Sequence, residues 1–329
     1  MNNRDPFFDN AKILLMLLVV LGHILSIGFK QKINVVVFEW IYTFHMPLFV
    51  FITGYFTKIT NKKKYWQGLF RFIETFGIFT IIHVIISYLQ GVTINIEKIL
   101  TVPKFALWYL LSLIWWRVML YYIPSSIREN HKMLILLSIS ISLLMGWVPI
   151  DEEFSFQRTF AFLPFFVIGF VTGQKRTRLK IEKRRHLHLF FLLAIAMLYL
   201  ILPFSINVPL FQNLSYLHSA YSHIFYFVFR IGWLIMAGYM SYCFLSLVPQ
   251  KEYCWTHFGQ LTLFIYLYHS VILSWRYILR DTFHLPTSII YCLVYFVVVL
   301  AVIWLMSKIR FFHWLLNPIS STINLIKKK

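Results

Sequence analysis

Lys12 and His23 stand eleven residues apart in a largely apolar stretch. At about 100° per residue, eleven steps make three turns plus about 20°. On a helix both side chains therefore lie on one face, roughly 16 Å apart along the axis. An ammonium holds anions and an imidazole exchanges protons near neutral pH, so the pair suits an anion-binding group in line with a general base. A plainer reading of His23 alone is a helix-packing histidine bonded to a neighbouring carbonyl. His45, in FHMPLFVFITGYF (44–56), offers a second imidazole that could orient His23 or hold a substrate. Arg71 and Arg117 are cations in two further apolar stretches. Glu39, Trp108, Tyr109, Arg158, Arg230 and His269 are further candidates for holding a substrate.

The elements that must position these residues are membrane helices. Hydrophobic residues make up 59% of the 329, against about 45–50% in soluble domains, and charged residues 13% against about 25%. A soluble core of this size cannot hide so much apolar surface. A crossing needs about 20 apolar residues, and the chain offers ten candidate spans: 11–29, 35–57, 69–89, 105–123, 133–149, 159–173, 187–206, 223–248, 259–277 and 287–307. The fifth and sixth are short and could be tilted, half-buried or re-entrant. The first has Lys12 at its start and no small-residue cleavage site after it, so it reads as a retained helix and not a signal peptide. No repeat, low-complexity tract or long linker sets off a second domain. Residues 1–329 read as a single all-α polytopic membrane domain.

Orientation follows the distribution of Lys and Arg. With the N-terminus inside, 21 of the 31 fall in cytoplasmic segments, seven in outer segments and three (Arg71, Arg117, Arg230) within spans. This predicts an N-in, C-in bundle. The net charge of +19 then belongs to loops beside anionic lipid headgroups, above all QKRTRLKIEKRRH (174–186), and not to a nucleic-acid binder. In this frame Lys12, Arg71 and Arg117 lie towards the inner side and could line a cationic mouth for a phosphate-bearing ligand, since guanidinium grips phosphate bidentately. The plain alternative for Arg71 is an ion pair with Glu74, one turn on. His23 and His45 reach matching depth on neighbouring helices and could form a proton-handling pair. Glu39, Trp108, Tyr109, Arg158 and Arg230 fall towards the outer side, and His269 near mid-depth.

Several chemistries are excluded. There is no Walker loop, nucleophile elbow or HExxH, and no His/Cys/Asp cluster has metal-ligand spacing, so no metal is expected. Cys243, Cys254 and Cys292 are scattered and form no CxxC. Two classes remain: a membrane enzyme, or a transporter or flippase for a sugar or lipid-linked oligosaccharide with the same charges lining its passage. Consumption of a donor separates them.

The motifs together resemble the membrane acyltransferase-3 family. NRDPFFDNAKILLMLLVVLGH (3–23) is similar to its first helix, whose signature is a basic residue, ten positions and a histidine, here Lys12 and His23. FHMPLFVFITGYF resembles its second-helix pattern, ALWYL (106–110) its Trp-aromatic motif and FIYLYH (264–269) its late Tyr-Leu-x-His. The similarity spans nearly the whole chain and looks closest to the fucose 4-O-acetylase-like branch. It implies transfer of an acyl group, usually acetyl, from cytoplasmic acetyl-CoA to a hydroxyl of an extracytoplasmic or lipid-linked carbohydrate, in a bacterial cytoplasmic membrane. His23 is then expected as the base, with Lys12 and His45 beside it and Lys12, Arg71 and Arg117 at the donor. The family often has two arginines three apart opening its third helix; here Gly68 stands where the partner of Arg71 would be, with Lys62–Lys64 nearby. Some members carry a fused extracytoplasmic SGNH hydrolase-like domain. No such domain follows the tenth span, so any such transferase is expected to be a separate partner or unnecessary.

Overall fold

Asp5 opens the first helix by accepting the amide of Phe7 at 3.1 Å, and Pro6 takes the first helical position, where its missing N–H costs nothing. The same device recurs: side chains of Asn61, Asn130, Ser222 and Ser288 each accept an amide in the first turn of the helix they precede. The computed structural model describes residues 5–26, 31–59, 61–93, 95–175, 184–202, 205–218, 222–284 and 286–326. The core of the basic stretch singled out in the sequence, residues 176–183, lies outside the described residues.

The principal helices are α1 (Pro6–Leu25), α2 (Lys32–Phe56), α3 (Lys62–Leu89), α4 (Trp108–Tyr122), α5 (His131–Leu144), α6 (Phe156–Gln174), α7 (Arg185–Ile201), α8 (His223–Leu247), α9 (Thr262–Leu273) and α10 (Ile289–Met306). Short helices and 3-10 turns join them, and no strand occurs among the described residues. The protein is an all-α polytopic membrane bundle. Among the described residues, seven helical stretches are long and apolar enough to cross a membrane. Helices α5, α7 and α9, at 14, 17 and 12 residues, fall short of the roughly 20 that a full crossing needs.

Two expectations change. The first helix starts at Pro6, so Lys12 lies inside it, one turn past Asp9, and not at its opening. The sixth, expected to be short, has 19 residues and, with the turn before it, is the most buried of the seven. Its position explains the difference: α6 packs backbone to backbone on α2. A Cβ at Gly169 would run into the carbonyl of Phe51, one at Gly173 into that of Tyr55, and one at Gly54 into that of Phe166. Helices in lipid associate through such small-residue contacts, because apolar surface alone gives no driving force there. The α2–α6 pair forms the centre, and α1 lies against α2.

Asn10, buried on α1, ties that helix to the segment after α8. Its amide donates to the carbonyls of Pro249 (3.0 Å) and Lys251 (2.9 Å), and its oxygen accepts the hydroxyl of Thr256 at 2.6 Å. Every polar atom of this buried side chain is satisfied, which fixes α1 relative to the turn that leads into α9. Helix α10 lies at the edge, mostly unburied and apolar throughout, as a lipid-facing helix is.

Candidate active site

Helices α1, α2, α4 and α9 enclose a cavity of about 830 Å³. Its mouth lies at the exposed side chains of Asp5 and Lys58. Its walls carry Asp9 and Lys12 of α1, Thr53 of α2, Tyr109 and Arg117 of α4, and Tyr266 of α9. The Lys12 ammonium lies 2.5 Å from the Asp9 carboxylate and 5.7 Å over the Phe56 ring, so its charge is partnered within α1. Arg117 is held differently. Its guanidinium sits 5.0 and 5.4 Å from the ring centroids of Tyr65 and Phe72, and its buried Nε donates to nothing. An unmade bond of that kind costs about 1–3 kcal/mol, which a ligand oxygen would recover. The Tyr65 hydroxyl donates to the Arg117 carbonyl at 2.6 Å and fixes α3 against α4. Further in, the hydroxyls of Thr53 and Tyr109 bond to each other, and Tyr266 donates to the carbonyl of Ala106.

The far end of the cavity is made by Val19, Met46 and Tyr266. Each adjoins a histidine that lies just beyond: His23 is one turn on from Val19, His45 precedes Met46, and His269 is three residues past Tyr266. His23 Nδ1 lies 3.1 Å from the Tyr42 hydroxyl, and its ring is 4.7 Å from Phe105 and 5.4 Å from His269. His45 is not its direct neighbour. Its Nδ1 donates to the Ile41 carbonyl of its own helix at 2.8 Å, and its ring meets Tyr42 at 4.7 Å, so Tyr42 stands between the two. The expected His23–His45 pair is thus replaced by His23–His269, with Tyr42 as the link to His45.

The remaining candidates separate by what they touch. Arg158 donates from Nε to the Phe211 carbonyl at 3.1 Å and lies 5.1 Å over the buried ring of Trp108, while Phe211 meets Tyr42 at 5.6 Å. These groups adjoin the histidine cluster through Tyr42. Glu39 accepts the Ser205 hydroxyl (2.5 Å) and the Ile206 amide (2.6 Å), so it anchors the segment after α7. Arg230, fully buried, donates to Gln212 (2.9 Å), the Ser142 carbonyl (3.1 Å) and Gln157 (3.3 Å), and stacks on Tyr216 at 4.7 Å. Its donors hold α5, α6, α8 and the 205–218 segment together, and Arg230 does not line the cavity between α1, α2, α4 and α9. Arg71 is exposed and does not line the cavity, and it forms no ion pair with Glu74. The Glu74 carboxylate instead takes the amides of Ile319 and Ser320 and the Ser320 hydroxyl, at the start of a helix near the chain's end.

Residues 5–308 match the family model described as an acyltransferase domain. The chain belongs to the acyltransferase-3 family. It is a polytopic membrane member of that family. It is also similar to Nodulation protein NolL of Mesorhizobium japonicum, 41% identical over 73 residues that cover 21% of this chain and 20% of that one. The same-named protein of Sinorhizobium fredii is 47% identical over 58 residues, 16% of each chain. The matched segments thus span a fifth or less of these relatives. No solved structure matches the chain.

In this member of the family the space beside Gly68 is taken from another helix. A Cβ at Gly68 would lie 3.9 Å from Nη2 of Arg117, so the α4 guanidinium approaches the place where the family often sets an arginine of α3. Sequence reasoning missed Tyr42 and Phe105. Tyr42 had a usable signal, since it lies three residues before His45 and faces with it. Phe105 had none. It adopts a left-handed φ of 49°, unfavourable for a bulky residue, and its ring packs beside both His23 (4.7 Å) and His269 (6.1 Å), with the Arg276 guanidinium 4.7 Å over it. Strain of about 1–3 kcal/mol held in this way gathers at functional sites.

Proposed function

We propose that this acyltransferase moves an acetyl group from cytoplasmic acetyl-CoA to a hydroxyl of an extracytoplasmic or lipid-linked carbohydrate, as in the fucose 4-O-acetylase-like branch. The observation that carries the reading is the line along α1. Lys12 lines the cavity towards its mouth, Val19 closes its far end, and His23 stands one turn further. That path covers about 16 Å and suits a long donor with phosphates at one end and a thioester at the other. In the N-in arrangement of ten spans that the charge distribution supports, the mouth faces the cytoplasm, where CoA is made.

The roles follow from that placement. Arg117 binds donor phosphate through the N–H that has no partner. Lys12, paired with Asp9, fixes the first turns of α1 beside the cavity. His23 takes the acceptor's hydroxyl proton as the oxygen attacks the thioester carbonyl. The tetrahedral intermediate collapses, the C–S bond breaks, and the thiolate leaves with the proton returned from the imidazolium. No cysteine lines the cavity, which supports direct transfer.

The test is reconstitution in vesicles with isotopically labelled acetyl-CoA and a carbohydrate acceptor. Label appearing as an ester on the acceptor, with one CoA thiol released per ester, supports the reading. Acceptor crossing the vesicle wall with acetyl-CoA unconsumed points to a transporter and contradicts it.

A further inference from the structure

His269 is wholly buried on α9, and its hydrogen bonding sets its tautomer. Nδ1 lies 3.1 Å from the Ile265 carbonyl. A carbonyl can only accept, so this nitrogen carries the proton and Nε2 carries a lone pair. That lone pair has no donor within reach although it is closed off from solvent. A buried acceptor left unmade is uncommon and costly, and the cost is removed when a ligand hydroxyl supplies the missing donor. The ring around it consists of His23 at 5.4 Å, Tyr266 at 5.9 Å and Phe105 at 6.1 Å. Among these, His23 also has one nitrogen engaged, by Tyr42, and one left over. Two imidazoles on facing helices, tilted by 33°, thus each hold one nitrogen for a ligand.

A single hydroxyl has one proton and satisfies one of them. We propose that this pair recognises two neighbouring hydroxyls of the acceptor: His23 faces the hydroxyl that is acylated, and Nε2 of His269 accepts a hydrogen bond from the adjacent one. The acceptor class is then a vicinal diol, and His269 selects it and sets which oxygen attacks. Phe105, tilted against both imidazoles, offers an apolar face for the C–H side of such a diol. This rests on the acyl-transfer reading above and adds to it what the acceptor must contain.

The experiment compares trans-1,2-cyclohexanediol with cyclohexanol as surrogate acceptors, following CoA thiol release by the wild type and by His269→Phe. The wild type should prefer the diol by about tenfold in kcat/KM, the worth of one net hydrogen bond. In His269→Phe the ratio of the two kcat/KM values should fall to about one. Equal use of both alcohols by the wild type, or an unchanged preference in the variant, overturns the proposal. So does loss of transfer to both alcohols alike, which would make His269 the base. Absence of thiol release with any hydroxyl acceptor counts against acyl transfer itself. A second measurement needs no turnover: the ¹⁵N resonance of His269 Nε2 should move on addition of the diol without acetyl-CoA, and an unmoved resonance at saturating diol overturns the proposal independently.

Discussion

The Tyr42 hydroxyl lies 3.1 Å from Nδ1 of His23, across the α1–α2 contact, so Nε2 is the nitrogen left for the proton transfer proposed above. Gly22 makes the approach possible, since a Cβ there would stand 2.9 Å from Cε2 of Tyr42. Tyr42→Phe should therefore lower kcat about tenfold, the worth of one net hydrogen bond, with KM for acetyl-CoA unchanged. Gly22→Ala should give the same signature by pushing the ring away. Steady-state kinetics on both variants checks this; a Tyr42→Phe kcat within twofold of wild type removes Tyr42 from the site.

Arg117 and Arg71 make opposite predictions although both are arginines on the same side of the bundle. Arg117 lines the cavity with an N–H unpartnered, whereas Arg71 is exposed and outside it. Arg117→Ala should weaken acetyl-CoA binding by about 1.5–3 kcal/mol, the range for a charge-assisted bond. Arg71→Ala should leave it within about threefold, under 1 kcal/mol. Calorimetric titration of the purified variants decides, and the reverse order of effects would move the donor site to α3.

What the sequence made legible is what local spacing controls. The apolar runs marked the helices, and the eleven-residue interval set Lys12 and His23 on one face of a helix that the structure describes as continuous. Partners far along the chain were not legible. The contact of His23 with His269 spans 246 residues, and so does that of Glu74 with Ser320. A charge one turn away looked like the natural partner for Glu74, yet the free amides of a helix start supply several donors at once and take it instead. Arg230 is a similar case: nothing in its neighbourhood in sequence announces the two glutamines and the carbonyl that take its donors.

Arg230 should consequently act on stability. Removing the side chain leaves Gln212, Gln157 and the Ser142 carbonyl without their donor and empties a buried site. Arg230→Ala should cost about 3–5 kcal/mol, as breaking other buried polar networks does, and lower the unfolding temperature in detergent. Acetyl-CoA affinity of the folded fraction should stay as in the wild type. A variant as stable as the wild type but unable to use acceptor would return Arg230 to a substrate-binding role.

The α2–α6 contact gives a prediction about the fold alone. Gly169 meets the Phe51 backbone so closely that no side chain fits. Gly169→Val should force the helices apart at a cost of about 1–3 kcal/mol or more. Gly77, with open space around it, should accept alanine without loss. Thermal unfolding of the two variants side by side checks the contrast.

The central claim is that His23 is the base at the end of a donor cavity. Its most direct test is CoA thiol release by His23→Ala, measured beside the wild type at saturating acetyl-CoA and acceptor, with donor binding followed on the same preparation. The account predicts a rate lower by about 10²–10⁴, with acetyl-CoA affinity and unfolding temperature kept. A rate within threefold of wild type from a variant that still folds and binds donor would contradict it.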